Sequence, residues 1–259
     1  MKLYILADME GISGIQIWDQ VKKNSPEYEE GRRLMMADIN AAVEAALEAG
    51  ANHIVVCDTH GAGLQIRLRE MNPAALYERP NRGRPMPSLD ESFDGVILLG
   101  HHAMAGTLDG FLDHTMSSAS WFEYRLNGKP MGEIGIEAAW AGHYKVPVIA
   151  VTGDEAACRE ATDLLGNVEC AVVKWGIGRN IAKCLSLQNA HERVKSAVKK
   201  AVSSIGEYKP FCPSLPATVT LTYYRSDMAD GMCSRAEIER LDARTIQKTV
   251  HSLLDVTWP

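Results

Sequence analysis

Acids and imidazoles recur in this sequence where apolar runs end. Asp8 and Glu10 close the run Lys2-Leu3-Tyr4-Ile5-Leu6-Ala7, and Asp58, Thr59 and His60 close His53-Ile54-Val55-Val56-Cys57. His101 and His102 follow Val96-Ile97-Leu98-Leu99-Gly100, Glu133 follows a hairpin signal, and His114 sits in Asp113-His114-Thr115 after a glycine-rich loop. In an extended chain, residues two apart project to the same side, so Asp8 and Glu10 can reach one cation. Successive residues project to opposite sides, so His101 or His102 faces such a cation, and not both. Carboxylate and imidazole donors without cysteine suit Zn2+, Mn2+ or Co2+ at an open, catalytic site. Five ligands, three of them carboxylates, exceed what one catalytic zinc needs. A carboxylate can bridge two ions ~3.5–4 Å apart, and Asp8, deepest on its run, is the best candidate bridge.

Each residue also has an ordinary structural use. A strand can end in acids because the chain returns to water, Glu133 can be a first-turn helix acid, and a histidine can cap a helix or bond a carbonyl. What those uses explain poorly is the coincidence of polar clusters ending three strands and a hairpin. Strand ends converge in an α/β sheet, and ligands bind beyond the carboxyl ends of its strands.

The elements that must bring these residues together can be read from periodicity. The first apolar run predicts a buried strand. Ser25-Pro26 predicts a helix start, Ser25 as N-cap, and Leu34, Ile39, Val43 and Leu47 its apolar stripe, with Gly50 at its end. Further strands are expected over 53–57, 94–100, 146–152 and 168–174, with helices near 154–165 and from Ser186 toward Gly206. Asn127-Gly128 marks a hairpin turn after the alternating stretch 121–126. Lys174, closing a strand, has the ordinary structural use of pairing with any nearby carboxylate. The tail 235–259 reads equally as strand or helix. The expected fold class is α/β: a three-layer αβα arrangement with a largely parallel central sheet and a smaller C-terminal α+β part. Prolines at 210, 213 and 216 suggest a catalytic domain over 1–210 and a C-terminal subdomain or extension over 211–259.

With 259 residues, 46% of them hydrophobic, the chain can bury a sizeable core. A net charge of −6 argues against a nucleic-acid or membrane-surface partner. Arg79, Arg82 and Arg84 form the one local basic cluster and read as a solvated, proline-flanked loop. No stretch is long enough to span a bilayer. The first apolar run meets Asp8 too soon for a signal-peptide core, which points to the cytoplasm. The six cysteines show no C-x-x-C pair and read as small buried hydrophobes.

Asp8-Met9-Glu10-Gly11, Asp58-Thr59-His60, Gly100-His101-His102-Ala103, Asp113-His114-Thr115-Met116 and Gly132-Glu133 together resemble the zinc-dependent D-aminopeptidases of the DppA type, peptidase family M55. Val173-Lys174 and the stretch from Arg179 to Ser186 look similar too, and the likeness thins after about residue 210. Ala7 departs from the pattern, since the family often has serine there. The resemblance implies two zinc ions held by Asp8, Glu10, His60, His102 and Glu133, with Asp8 bridging and His114 catalytic. His102 is preferred to His101 because the family's ligand directly precedes the alanine. Removal of N-terminal D-amino acids, D-alanyl ones in particular, from short peptides is also implied, as is a ring-shaped homo-oligomer, a decamer, enclosing its active sites.

Two other functions compete. A dinuclear metallophosphatase also uses Asp and His at strand ends, but the sequence has no Asn-His ligand motif after a glycine and no phosphate-cradling loop. A receiver-like phosphoacceptor domain would employ Asp8, Thr59 and Lys174 and leave Glu10, His60 and His102 idle. A metal-binding relative without catalysis would lack His114, which is present.

Overall fold

Alternation of apolar runs and amphipathic helices winds most of the chain into a parallel sheet. The protein is seen here as a computed structural model that describes residues 1–61, 63–81 and 85–257. The first half contains β1 (Lys2–Ala7), α1 (Tyr28–Glu48), β2 (His53–Asp58), β3 (Leu76–Glu78), β4 (Gly95–His101), β5 (Trp121–Leu126) and β6 (Lys129–Pro130). Then come α2 (Glu133–His143), β7 (Val148–Asp154), α3 (Glu155–Leu165), β8 (Glu169–Gly178), β9 (Ile181–Cys184) and α4 (Leu187–Ser203). The chain closes with β10 (Ala217–Tyr223), α5 (Ser226–Asp230), β11 (Glu239–Arg240) and β12 (Thr245–Val250).

The main sheet has the order β3-β2-β1-β4-β7-β8-β9, parallel except for the β8–β9 hairpin at one edge. The chain winds outward from β1 in one direction, then restarts at β4 on its other side. That reversal leaves a crevice beyond the carboxyl ends of β1 and β4, where doubly wound sheets bind ligands. Asp8 follows β1 directly, and His102 follows β4.

Two glycines let these strand ends approach. A Cβ on Gly11 would sit 2.0 Å from the His101 carbonyl oxygen, and the Gly11 amide donates to the Gly100 carbonyl at 2.7 Å. Gly100 has φ +74°, and a Cβ there would meet the Asp8 carbonyl oxygen at 2.5 Å. Any larger residue at either position pushes the two arms apart.

Side chains of β1 alternate between two cores. Leu3, Ile5 and Ala7 pack with Met35 and Ile39 of α1 and Val194 and Val198 of α4. Tyr4 and Leu6 share the other core with Ala138 of α2, Ala157 and Ala161 of α3, and Val219 and Leu221 of β10. The three-layer α/β architecture is thus present, and its second face also carries a five-stranded antiparallel sheet, β11-β12-β10-β5-β6. β10 pairs with β12 on one side and β5 on the other. The segment after residue 210 therefore shares its sheet with the 121–130 hairpin.

Local chemistry explains most element ends. Asp154 caps α3 through the Ala157 amide, and Ser186 caps α4 through the Asn189 amide. Asn127 and Gly128 both have positive φ, as a tight hairpin turn requires. The expected Ser25 cap is a correction: α1 starts at Tyr28, and the Ser25 hydroxyl bonds the Asp19 carbonyl instead. Among the described residues of 62–90, the chain forms a 3-10 turn over Leu68–Glu70 and the short β3. Of the expected basic cluster only Arg79 can be placed, since Arg82 and Arg84 lie outside the described residues. Among the described residues, no helix is long and apolar enough to cross a membrane.

A buried carboxylate ties both helices of the first face to the segment after Glu10. Asp38 of α1 accepts the Ser13 amide at 2.9 Å and faces the His191 imidazole of α4 at 3.1 Å. The contact to Asp38 raises the pKa of His191 against partial burial and the nearby Lys195 charge. The pair therefore stabilises the fold fully below pH about 6.5, the ordinary histidine value, and the contribution fades as pH climbs through the raised one. His191→Gln should lose about 1 kcal/mol at pH 6, with the gap narrowing toward pH 9 in urea melts. An equal gap at both pH values would show that the imidazole does not change its charge between them.

Candidate metal centre

Every candidate ligand expected from the sequence reaches the crevice between β1 and β4. Asp8 and Glu10 enter on the turn after β1, His60 after β2, His102 after β4, and Glu133 in the first turn of α2. His114 comes from the long connection between β4 and β5. All are buried or nearly so, with His60 and Glu133 side chains 16% and 13% exposed. Asp8, Glu10, His60, His114 and Glu133 line a cleft of about 370 Å3 together with Trp18, Met116 and Ser117, and His102 lies buried behind them. A larger hollow, about 460 Å3, adjoins through His60 and Gly61, but Glu29 is the one carboxylate in its wall. The chemistry therefore belongs to the smaller cleft.

The donors form two groups. Asp8, Glu10 and His60 offer ligand atoms within 4.8 Å of one another, and so do His102, His114 and Glu133. Asp8 reaches both: its Oδ1 lies 3.1 Å from His60 Nδ1, and its Oδ2 lies 3.4 Å from His102 Nε2. Glu10 Oε2 is also 3.1 Å from His60 Nδ1. Glu133 Oε1 stands 3.4 Å from His102 Nε2 and 3.6 Å from His114 Nε2, and accepts the Met116 amide at 2.7 Å.

Backbone carbonyls decide which nitrogen of each imidazole is free. His60 Nε2 contacts the Val21 carbonyl at 2.9 Å, His102 Nδ1 the Ala103 carbonyl at 3.0 Å, and His114 Nδ1 the Leu112 carbonyl at 2.9 Å. A carbonyl only accepts, so each of these nitrogens carries a proton, and the other nitrogen of each neutral ring presents a lone pair to the carboxylates. A lone pair aimed at a carboxylate is repulsive unless a cation lies between them. Histidines that hold metal ions are oriented in the same way, by donating the far N–H to a carbonyl or carboxylate. Asp8 Oδ2 and His102 Nε2, both buried, have no hydrogen-bond partner among the described residues. Residue types, orientation and orphaned atoms all fit a bound cation.

The electrostatics agree. Burial disfavours the charged form of His60 and His102, yet the carboxylates outweigh it and raise both pKa values well above the ordinary one. Burial likewise works against ionised Asp8, but its contacts to His102 and His60 hold its carboxyl well below the usual range. For Glu133 burial is outweighed by the His102 charge, and its pKa falls. Such a field binds positive charge, as protons or as metal.

His101 points away from the cleft. Its Nε2 bonds Glu137, one turn beyond Glu133 on α2, and both are buried. The opposite projection of successive residues thus separates the two histidines as expected. Glu137 was not identified from the sequence, although its i+4 spacing from Glu133 places both on one helix face. Lys174 has a different use from carboxylate pairing. It pairs with no carboxylate among the described residues and donates to the carbonyls of Glu10 and Ile15, at 2.8 Å each. Asp154, read only as the start of a helix, also accepts the Phe111 amide at 2.9 Å.

A D-aminopeptidase of Bacillus subtilis (strain 168) is 35% identical over 215 residues, 82% of this chain and 78% of that protein. The solved structure of the Zn-dependent D-aminopeptidase DppA from Bacillus subtilis, described as a self-compartmentalizing protease, superposes with a TM-score of 0.95 at 30% identity. It covers 99% of this chain, which in turn covers 94% of it. The model of peptidase family M55, described as D-aminopeptidase, matches residues 1–258. With a family match over almost its whole length, the chain belongs to the M55 D-aminopeptidases and is a hydrolase.

Proposed function

We propose that this enzyme removes the N-terminal D-amino acid, of the D-alanyl type, from short peptides at a dinuclear zinc centre. The observation that carries the reading is the set of three imidazoles, each fixed by a carbonyl so that its free lone pair faces carboxylates in one cleft. Asp8, Glu10 and His60 are assigned to one ion and His102 and Glu133 to the other, with Asp8 shared because its two oxygens face different groups. Zinc is the metal named for the DppA structure, and Mn2+ or Co2+ suit the same donors.

Zinc, when bound, supplies Lewis-acid polarisation of the scissile carbonyl and lowers the pKa of water from ~15.7 toward ~7. The chain's own residues do the rest. His114 is assigned the catalytic role: its Nδ1–H is held by the Leu112 carbonyl, so Nε2 faces the cleft. There Nε2 can take a proton from attacking water and return it to the leaving amine. Alternatively it can itself attack the carbonyl: the C–N bond breaks as the amine leaves with a proton from water, and water then hydrolyses the acyl-imidazole to free the amino acid and the ring. The substrate's free amino terminus can meet a carboxylate or a metal of the cleft. All these residues fall within 1–210, the proposed catalytic part, and 211–259 form its C-terminal extension.

The same reading includes a cytoplasmic location, in line with six free cysteines, and a ring-shaped homo-oligomer, a homodecamer, in line with the self-compartmentalizing relative. Light scattering on the purified protein checks the assembly; a monomer would remove that part.

Metal analysis and a substrate panel test the core of it. About two zinc ions per chain are expected, with hydrolysis of D-Ala-D-Ala that disappears on chelation and returns with zinc. L-Ala-L-Ala should be cleaved far more slowly and p-nitrophenyl phosphate not at all. A single ion per chain defeats the dinuclear assignment, and preference for the L-peptide defeats the D-alanyl one.

A further inference from the structure

Lys174 lies on β8 with no exposed surface, and burying an ammonium without a carboxylate partner is costly. A methionine has nearly the same length and would fill the space without that penalty. The ammonium must therefore be judged by what it holds. Its two hydrogen bonds go to the carbonyls of Glu10 and Ile15, at 2.8 Å each, the two ends of the turn that carries Glu10 into the cleft. It also sits 4.8 Å from the centre of the Phe111 ring, in cation–π contact.

Phe111 is the start of the arm that carries His114. Its amide donates to Asp154 at 2.9 Å, and the next amide, Leu112, donates to the Arg179 carbonyl at 2.7 Å. Leu112 has φ +51°, a conformation that a leucine adopts only when its surroundings enforce it. The Leu112 carbonyl is the group that orients His114. One buried cation thus touches both arms, the turn of Glu10 directly and the support of His114 through an aromatic ring.

We propose that Lys174 is a positioning residue that sets Glu10 and His114 in register with each other across the centre. The inference rests on the reading of Glu10 as ligand and His114 as catalytic group. It goes further in assigning their relative placement to a side chain that touches neither substrate nor metal. Ligand-supporting partners of this kind typically change metal affinity or activity by about 10–100-fold when removed.

The test compares wild type with Lys174→Met and Lys174→Gln, the latter able to serve one carbonyl. With both variants folded, the Met variant should hold one of its zinc ions about 10–100-fold more weakly against a competing chelator. At saturating zinc its kcat on D-Ala-D-Ala should fall by about the same factor, with KM within about threefold, and the Gln variant should lie between. Wild-type zinc affinity and kcat in folded Lys174→Met would overturn the proposal and leave Lys174 as core filler. Should that variant not fold, Phe111→Leu keeps the bonds to Glu10 and Ile15 and removes only the ring. It should lower kcat about tenfold with zinc affinity kept, and an unchanged kcat overturns the proposal. Amide exchange of the metal-free proteins separates this from the functional reading. Residues 10–15 and 111–114 should exchange at least about tenfold faster in Lys174→Met, and residues 111–114 alone in Phe111→Leu, with β10 and β12 unaffected. Exchange as slow as in wild type in both segments of Lys174→Met, or in 111–114 of Phe111→Leu, overturns the proposal, whatever reaction the enzyme proves to catalyse.

Discussion

Asp8→Asn should abolish zinc-dependent turnover, lowering kcat/KM by at least about 10^3-fold, or about 4 kcal/mol of transition-state stabilisation. Asp8 is the one carboxylate whose two oxygens address different histidines, Oδ1 toward His60 and Oδ2 toward His102. The amide is nearly the same shape, so the turn before Gly11 has no steric reason to move. It offers one neutral oxygen in place of two anionic ones, and its NH2 then faces one of the two groups. In the proposed dinuclear centre both ions would lose a ligand or a charge from this single substitution, which no other assigned ligand would cause. Stability gives an independent readout. A ligand that binds only the folded state stabilises it by about 4.1 kcal/mol at a thousand times its dissociation constant, so wild type should melt markedly higher with zinc. In Asp8→Asn that zinc-induced rise should shrink by more than half, with the metal-free melting temperature close to wild type. A full zinc-induced rise together with two tightly held ions would remove Asp8 as the bridge.

How much of this site was legible from the sequence follows from what local spacing encodes. Asp8, His60 and His102 stand where an apolar run meets polar residues, and the parallel order of β1, β2 and β4 brings such ends together whatever lies between them. Gly11 and Gly100 were visible as motif residues, but not their reason, which is the close approach of two strand ends far apart in the chain. The supporting residues were less legible because they act on backbone atoms. Nothing in the sequence says that Lys174 bonds carbonyls of residues 10 and 15, or that Asp154 serves Phe111 as well as its own helix. The Ser25 cap failed for a related reason: the hydroxyl donates to the Asp19 carbonyl, and α1 begins only at Tyr28, with Glu27 at its N-cap. The tail was ambiguous because β12 is defined by its register with β10, Ala217 against Val250, and a lone strand carries little periodic signal.

His114→Ala should keep its zinc and lose its reaction. The substitution removes no assigned ligand, so about two ions per chain should remain. General acid–base assistance contributes typically about 10^2–10^4-fold, and a nucleophile's removal at least as much. kcat on D-Ala-D-Ala should therefore fall by that amount with KM little changed, because nothing in the proposed role concerns ground-state binding. The geometry also sharpens the risk to this assignment. His114 stacks on His102 with ring centres 4.0 Å apart and planes 9° from parallel, and its Nε2 belongs to the same donor group as His102 and Glu133. If His114 were a resting ligand instead, the Ala variant would lose one ion and excess zinc would restore part of the rate. With zinc content unchanged and the rate lost, the imidazole acts on the substrate. Rapid quenching of wild type during turnover, followed by mass measurement, then divides the two chemistries. A covalent adduct of one alanyl unit on the peptide containing His114 marks a nucleophile, and an unmodified peptide at full turnover leaves proton transfer as its task.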